Sequence, residues 1–292
     1  MRMPLLKVII LAIVQGLAEL LPVSSSAHVV VTEKLLGLDP SSPPMTLLLV
    51  MLHTGTMVAV IAYFWSQWRA TFFQSATAFR RFALQVVIAT ACTAVIGEAI
   101  AKIIEKTVLR DVPHAQIEDL FSHLEFIAPA LAAAGLLIII AGVFANRRAT
   151  RELTAANDLD VRRAGWIGAV QGLSLPFRGF SRSGATISTG MLLGVAKPRA
   201  EAFSFALAVV LTPPVVAREA LRLVHAAHEG GGTADLSSAA WSSVLGAGVA
   251  FLAGLLALKW LSRWLEAGRW YWFGVYCLFA AGAVTLLHRA GY

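Results

Sequence analysis

The chain has 292 residues, 58% of them hydrophobic and 14% charged, with a mean hydropathy of +0.71. Soluble domains carry about 25% charged residues, so this composition excludes a soluble globular protein, a disordered chain and a disulfide scaffold, and points to an integral membrane protein. The net charge of +7 and the pI near 9.8 arise from bases set between apolar runs, the distribution of the positive-inside rule rather than of a nucleic-acid binder.

In chain order, the first apolar stretch runs from Leu5 to Leu36 and is cut at PVSSSAH. It contains Gln15 and Glu19 and lacks a small-x-small cleavage site, so it reads as mature sequence and not as a signal peptide. A bilayer crossing takes about 20 apolar residues, and neither half of this stretch is long enough. It reads as a re-entrant helix–loop–helix hairpin. Three spans follow: Leu47 to Trp65, Phe82 to Ile104 and Phe126 to Ala145. The stretch Ala164 to Val195, cut at LPFRGFSRSGAT, reads as a second re-entrant hairpin. Three further spans are Ala202 to Ala217, short and interrupted by Pro213 and Pro214, then Val244 to Leu261 and Trp270 to Leu287. Irregular backbone survives at membrane depth only where it is buried in protein or lines a wet cavity. Cys92 and Cys277 sit inside apolar runs and read as small core or lipid-facing residues.

Loop charge sets the expected orientation. Arg69, Arg80, Arg81, Arg147, Arg148, Arg151, Arg162, Arg163, Lys197, Arg199, Lys259, Arg263 and Arg269 mark cytoplasmic loops. Glu105, Asp111, Glu118, Asp119, Glu125, Glu229 and Asp235 mark outer ones. Six crossings satisfy these assignments if each hairpin returns to its own side, the first entering from outside and the second from inside. The expected fold is therefore an all-α integral membrane protein of six transmembrane helices plus two re-entrant helix hairpins. It forms a single membrane domain built as an inverted-topology repeat, with residues 1–145 and 146–292 as the two halves. The motifs QGLAELLPVSSSAH (from Gln15) and QGLSLPFRGFSRSGAT (from Gln171) resemble each other and start about half a chain apart. Paired interrupted segments of this kind point to a midplane site where the two tips meet.

The first tip offers Glu19, Ser24, Ser25, Ser26 and His28. A carboxylate at membrane depth is costly and is a functional candidate by default. Gln15 and Glu19 share a helix face at i and i+4. Serine needs a base within hydrogen-bond reach to attack, and His28, three positions past Ser25, is the local base. The second tip offers Arg178, Ser181, Arg182, Ser183 and Thr186 around Gly179 and Gly184. Glycine, hydroxyls and a helix N-terminus make an anion site, and Arg182 adds a planar fork for phosphate. Together the tips suit phosphoryl transfer, which depends on positioning and charge stabilisation. Glu19 is the candidate ligand of a divalent cation completed by phosphate oxygens. Elsewhere, His53 reads as a packing or hydrogen-bonding residue. Glu98 and Lys102 read as an i,i+4 pair, and Trp65, Trp68, Trp241, Trp260, Trp270 and Trp272 as an interfacial belt.

QGLAELLPVSSSAH closely resembles the first motif of the bacterial undecaprenyl-diphosphate phosphatase family of the bacitracin-resistance type, E/Q-G-x-x-E-x-x-P-V-S-S-x-x-H. SRSGAT (Ser181 to Thr186) resembles its second, P-G-x-S-R-S-G-x-T. The segments LHTGTMVAV and EAFSFALAVVLTPP are also similar, so the resemblance covers nearly the whole chain. It implies a bacterial plasma-membrane enzyme whose site opens to the outer face. The enzyme would hydrolyse undecaprenyl diphosphate to the monophosphate carrier of cell-wall assembly, confer bacitracin resistance, use Mg2+ or Ca2+, and form a homodimer. By motif position it makes Glu19 and Arg182 essential and Ser25 the nucleophile. His28, Ser24, Ser181, Ser183 and Thr186 would support catalysis or phosphate binding. We place Gln15 and Ser26 with the substrate-binding residues and Glu19 with the cation.

Two departures stand out. Gln15 replaces a second carboxylate, and the Pro-Gly turn of the second motif reads Pro176-Phe177-Arg178-Gly179. Arg178 is thus either a second phosphate contact or a residue facing lipid headgroups. Attack by Ser25, by His28 or by a cation-bound water are all drawable. The acid-phosphatase pattern S-R-x5-H-x3-D is not matched after Arg182. The alternative function is a polyprenyl-phosphate transporter or flippase using the same midplane site.

Overall fold

The computed structural model of the protein describes residues 4–39, 42–107, 124–149, 159–230 and 233–291, and among them every regular element is helical. The helices are α1 (Leu5–Leu20), α2 (Ser25–Leu35), α3 (Pro43–Thr71), α4 (Ala76–Thr107), α5 (Leu124–Ala149), α6 (Val161–Ser174), α7 (Arg182–Leu192), α8 (Lys197–Gly230), α9 (Thr233–Glu266) and α10 (Tyr271–Arg289). Five stretches are long and apolar enough to cross a membrane: Pro44–Thr71, Ala76–Thr107, Leu124–Arg147, Ala240–Glu266 and Tyr271–Arg289. The chain is a multi-pass membrane protein. The sixth expected span, Ala202 to Ala217, is helical but is not one of these five. It lies in α8, which continues through Pro213 and Pro214, and the side chain at 215 lies outside the described residues. So do Asp111, Glu118, Asp119 and Arg151, and the side chains of Arg148, Glu229 and Asp235, on which part of the orientation rests.

Both expected breaks are present, and each has a local cause. Pro22 favours extended backbone in the residue before it, and Leu21 is extended at φ −74°, ψ 150°, which ends α1. Ser24 then takes φ 68°, and its side chain caps α2 by accepting from the Ala27 amide. In the second half, α6 starts on Asp160, which accepts from the Arg163 amide at 2.7 Å, and stops before Pro176. Gly179 turns the chain at φ +106°, and Ser181 caps α7 by accepting from the Gly184 amide at 3.2 Å. The two halves therefore use one device: helix, proline bend, serine cap, helix.

The halves interlock. Helix α1 packs on α9, α4 on α6, α3 on both α8 and α9, and α5 on α10 and α7. Small residues let membrane helices approach closely. The glycine after each motif's glutamine does this work. A Cβ on Gly16 would sit 2.6 Å from the Ala253 Cβ of α9, and one on Gly172 would sit 2.8 Å from the Thr93 carbonyl of α4. An aromatic cluster fills the core between α3, α4 and α8, with Phe72 and Phe82 stacked at 4.2 Å and Phe64 on Phe205 at 5.3 Å. The expected tryptophan belt divides. Trp65, Trp241, Trp260 and Trp272 are exposed, whereas Trp68 and Trp270 are buried. Their indole N–H groups donate to the Ala202 carbonyl (3.1 Å) and to Ser188 (3.0 Å), so they brace α8 and α7 instead of marking an interface. Glu98 and Lys102 pair at 3.1 Å as their spacing implies.

Candidate active site

The two tips meet at one carboxylate. Glu19, in the last turn of α1, receives the Arg182 guanidinium from the first turn of α7, with Nη2 2.9 Å from Oε1. Its other oxygen, Oε2, accepts from the Ser25 hydroxyl at 2.6 Å and from the Gln15 amide at 3.2 Å. The tips are tied at two further points. The Gly179 amide donates to Ser26 Oγ at 3.3 Å, and Ser183 donates to the Leu21 carbonyl at 3.4 Å. The α2 and α7 N-termini, which favour anions, thus open onto the same region. Glu19 and Arg182 keep 16% and 24% of their side chains exposed, so the pair is sheltered yet reachable.

The remaining expected residues divide by how they are used. Ser24 and Ser181 are buried and serve as helix caps. Thr186 is buried, donates to the Arg182 carbonyl at 2.8 Å and meets Ser204 of α8 at 2.6 Å, which braces α7. Ser183 is buried on the Leu21 carbonyl. Ser25 and Ser26 are half-buried. Arg178 is exposed, within electrostatic reach of buried Glu33 on α2.

One expected partnership does not form. The His28 ring bonds to Ser24 and Tyr276 and not to Ser25. Because α2 starts at Ser25 on a Ser24 cap, the imidazole turns back one helical turn, and its Nδ1 sits 2.8 Å from the Ser24 carbonyl. Its Nε2 lies 2.7 Å from the Tyr276 hydroxyl of α10. The hydrogen-bonded base beside Ser25 is therefore Glu19. Two side chains join the site that sequence reasoning had left aside or not considered. His53 of α3 reaches Glu19 with Nε2 3.9 Å from Oε2, while its Nδ1 bonds to the Leu49 carbonyl at 2.9 Å. Tyr276 is the other. The LHTGT segment held the only available signal for His53, and an isolated tyrosine in an apolar run carries none.

Among the described residues no group of three or more His, Cys, Asp or Glu side chains could hold a metal ion. A magnesium-type cation is usually held by one or two carboxylates together with substrate phosphates. One carboxylate beside a loop of glycine and hydroxyls at a helix N-terminus fits a cation that arrives with an anionic substrate.

Comparison with known proteins finds the following relatives. The family model described as "Bacitracin resistance protein BacA" matches residues 8–283. The chain is 54% identical over 287 residues to "Undecaprenyl-diphosphatase 2" of Acinetobacter baylyi, covering 98% of each chain. It is 32% identical over 284 residues to "Undecaprenyl-diphosphatase" of Rhodopirellula baltica, covering 97% of this chain and 98% of that one. It is 34% identical over 299 residues to the protein of the same name in Desulfosudis oleivorans, covering 95% and 96%.

Proposed function

This chain belongs to the bacitracin resistance protein BacA family, and we propose that it is a membrane undecaprenyl-diphosphatase. It releases phosphate from undecaprenyl diphosphate to regenerate the monophosphate carrier, which deprives bacitracin of its target. One observation carries the assignment. Arg182 of one motif and Ser25 of the other share the Glu19 carboxylate, in a chain whose full-length relatives bear that name.

The mechanism follows from that geometry. Ser25 Oγ attacks the terminal phosphorus while Glu19 Oε2 takes its proton. The P–O bond to the bridging oxygen breaks, and undecaprenyl monophosphate leaves as an anion. Arg182 and the amides at the start of α7 hold the phosphoryl oxygens as charge builds. Water then attacks the phosphoserine, and its proton reaches His28 Nε2 as the bond to the Tyr276 hydroxyl reverses direction. Ser25 Oγ recovers its own proton from Glu19, and phosphate departs. Ser26 and Gln15, bonded to the Gly179 amide and to Glu19, would bind the substrate phosphates. A divalent cation, Mg2+ or Ca2+, would be held by Glu19 and the diphosphate and would neutralise charge on the phosphates.

We read the fold around this site as six crossings and two re-entrant hairpins in an inverted repeat, halves 1–145 and 146–292 forming one domain. The matched proline bends and serine caps support it, as does the exchange that puts α1 on α9 and α6 on α4. Loop charge supports a plasma-membrane placement with the first hairpin entering from the outer face.

Phosphate release by the detergent-purified chain tests the function. Release that stops with EDTA and falls at least about a hundredfold in Arg182→Ala is expected, the size of losing one oxyanion donor. Folded wild-type protein that moves polyprenyl phosphate across liposomes but releases no phosphate would replace this reading with translocation.

A further inference from the structure

Helix α10 grips the first tip at two adjacent residues. Cys277 Sγ donates to the Pro22 carbonyl at 3.4 Å, at the bend itself. Tyr276 places its hydroxyl 2.7 Å from His28 Nε2, with the two rings stacked at 5.6 Å and 15° between planes. The other ring nitrogen, Nδ1, lies 2.8 Å from the Ser24 carbonyl. A carbonyl can only accept, so Nδ1 carries the hydrogen, and in the neutral ring Nε2 is the acceptor of the Tyr276 O–H. A hydroxyl both donates and accepts, so the same contact persists when Nε2 is protonated, with the direction of the bond reversed.

We infer that Tyr276 is a positioning residue for the hydrolysis: its hydroxyl and the Ser24 carbonyl clamp the His28 imidazole with Nε2 as its basic nitrogen, turned from Ser25 toward α10. The clamp explains how a histidine three residues past the nucleophile is kept for the water step while Glu19 serves Ser25. This inference rests on the proposed phosphatase function and goes beyond it. No part of either motif contains Tyr276, which comes 248 residues after His28.

Tyr276→Phe removes only the hydroxyl and keeps the stacked ring. In the full-length detergent-purified protein, phosphate release from undecaprenyl diphosphate is expected to lose roughly tenfold in kcat, about the worth of one hydrogen bond, with KM within about twofold. The 15N resonance of His28 Nε2, identified by its absence in His28→Gln, is expected to move toward that of an unbonded acceptor nitrogen in Tyr276→Phe. An unchanged kcat with an unchanged His28 resonance overturns the inference. A rise in KM alone also overturns it, because that places Tyr276 on the lipid and not on His28. A wild-type chain that releases no phosphate sinks the function itself, whereas an active wild type matched by Tyr276→Phe sinks only the clamp.

Discussion

At the scale of single residues, Glu19 is the centre of the site because it accepts from every direction: Arg182 on one oxygen, Ser25 and Gln15 on the other, with His53 facing it. The Gln15–Glu19 contact was legible from i,i+4 spacing. The partner of Ser25 was not, since it depends on where α2 begins. The ring of His28 bonds back to the Ser24 carbonyl and across to Tyr276 of α10, a partner no local spacing states. His53 and Tyr276 arrive from helices whose packing no local pattern states. Gln15 yields a direct expectation. Its amide is 3.2 Å from Glu19 Oε2, so Gln15→Glu would set two carboxylates side by side. Two such charges repel, and the Arg182 guanidinium balances only one of them, so a further cation is bound more tightly. The variant is expected to be half-activated at several-fold lower Mg2+ than wild type, read from phosphate release across a Mg2+ titration. An unchanged activation curve would place the cation away from Glu19.

Among elements, the two helix breaks were the most legible feature, because proline, glycine and serine clusters interrupt otherwise apolar runs at matching places. What stayed hidden was how much of the serine and threonine content is spent on folding the tips. Ser24 and Ser181 cap helices, and Thr186 locks α7 to α8, roles indistinguishable by composition from phosphate binding. Trp68 and Trp270 were misread for a related reason, since proximity to a span end does not reveal whether the indole N–H faces headgroups or a buried acceptor. The second tip also depends on α5. Gly179 holds φ +106°, and a Cβ there would run into the Ile127 carbonyl. Holding a side chain in such backbone costs on the order of 1–3 kcal/mol before any clash. Gly179→Ala is expected to lower both the thermal unfolding midpoint in detergent and phosphate release. Gly248→Ala, which meets open space within 4 Å, is expected to leave both unchanged. Equal behaviour of the two variants would mean the loop does not need its left-handed turn.

Across the whole molecule, the composition, the paired motifs and the places of five apolar helices were readable in the sequence. The exchange of partners that puts α1 on α9 and α4 on α6 was not, because helix packing in lipid follows surface fit and close glycine contacts more than hydrophobic pattern. That exchange brings residues from the two halves to one carboxylate, and the central claim is that they act there as one unit. A double-mutant cycle on phosphate release with Ser25→Ala, Arg182→Ala and the double variant tests this most directly. Residues that work as a unit are strongly non-additive, so the double variant should lose little more activity than the worse single one. Losses in ΔΔG‡ that simply add would contradict a shared site and separate the two hairpin tips.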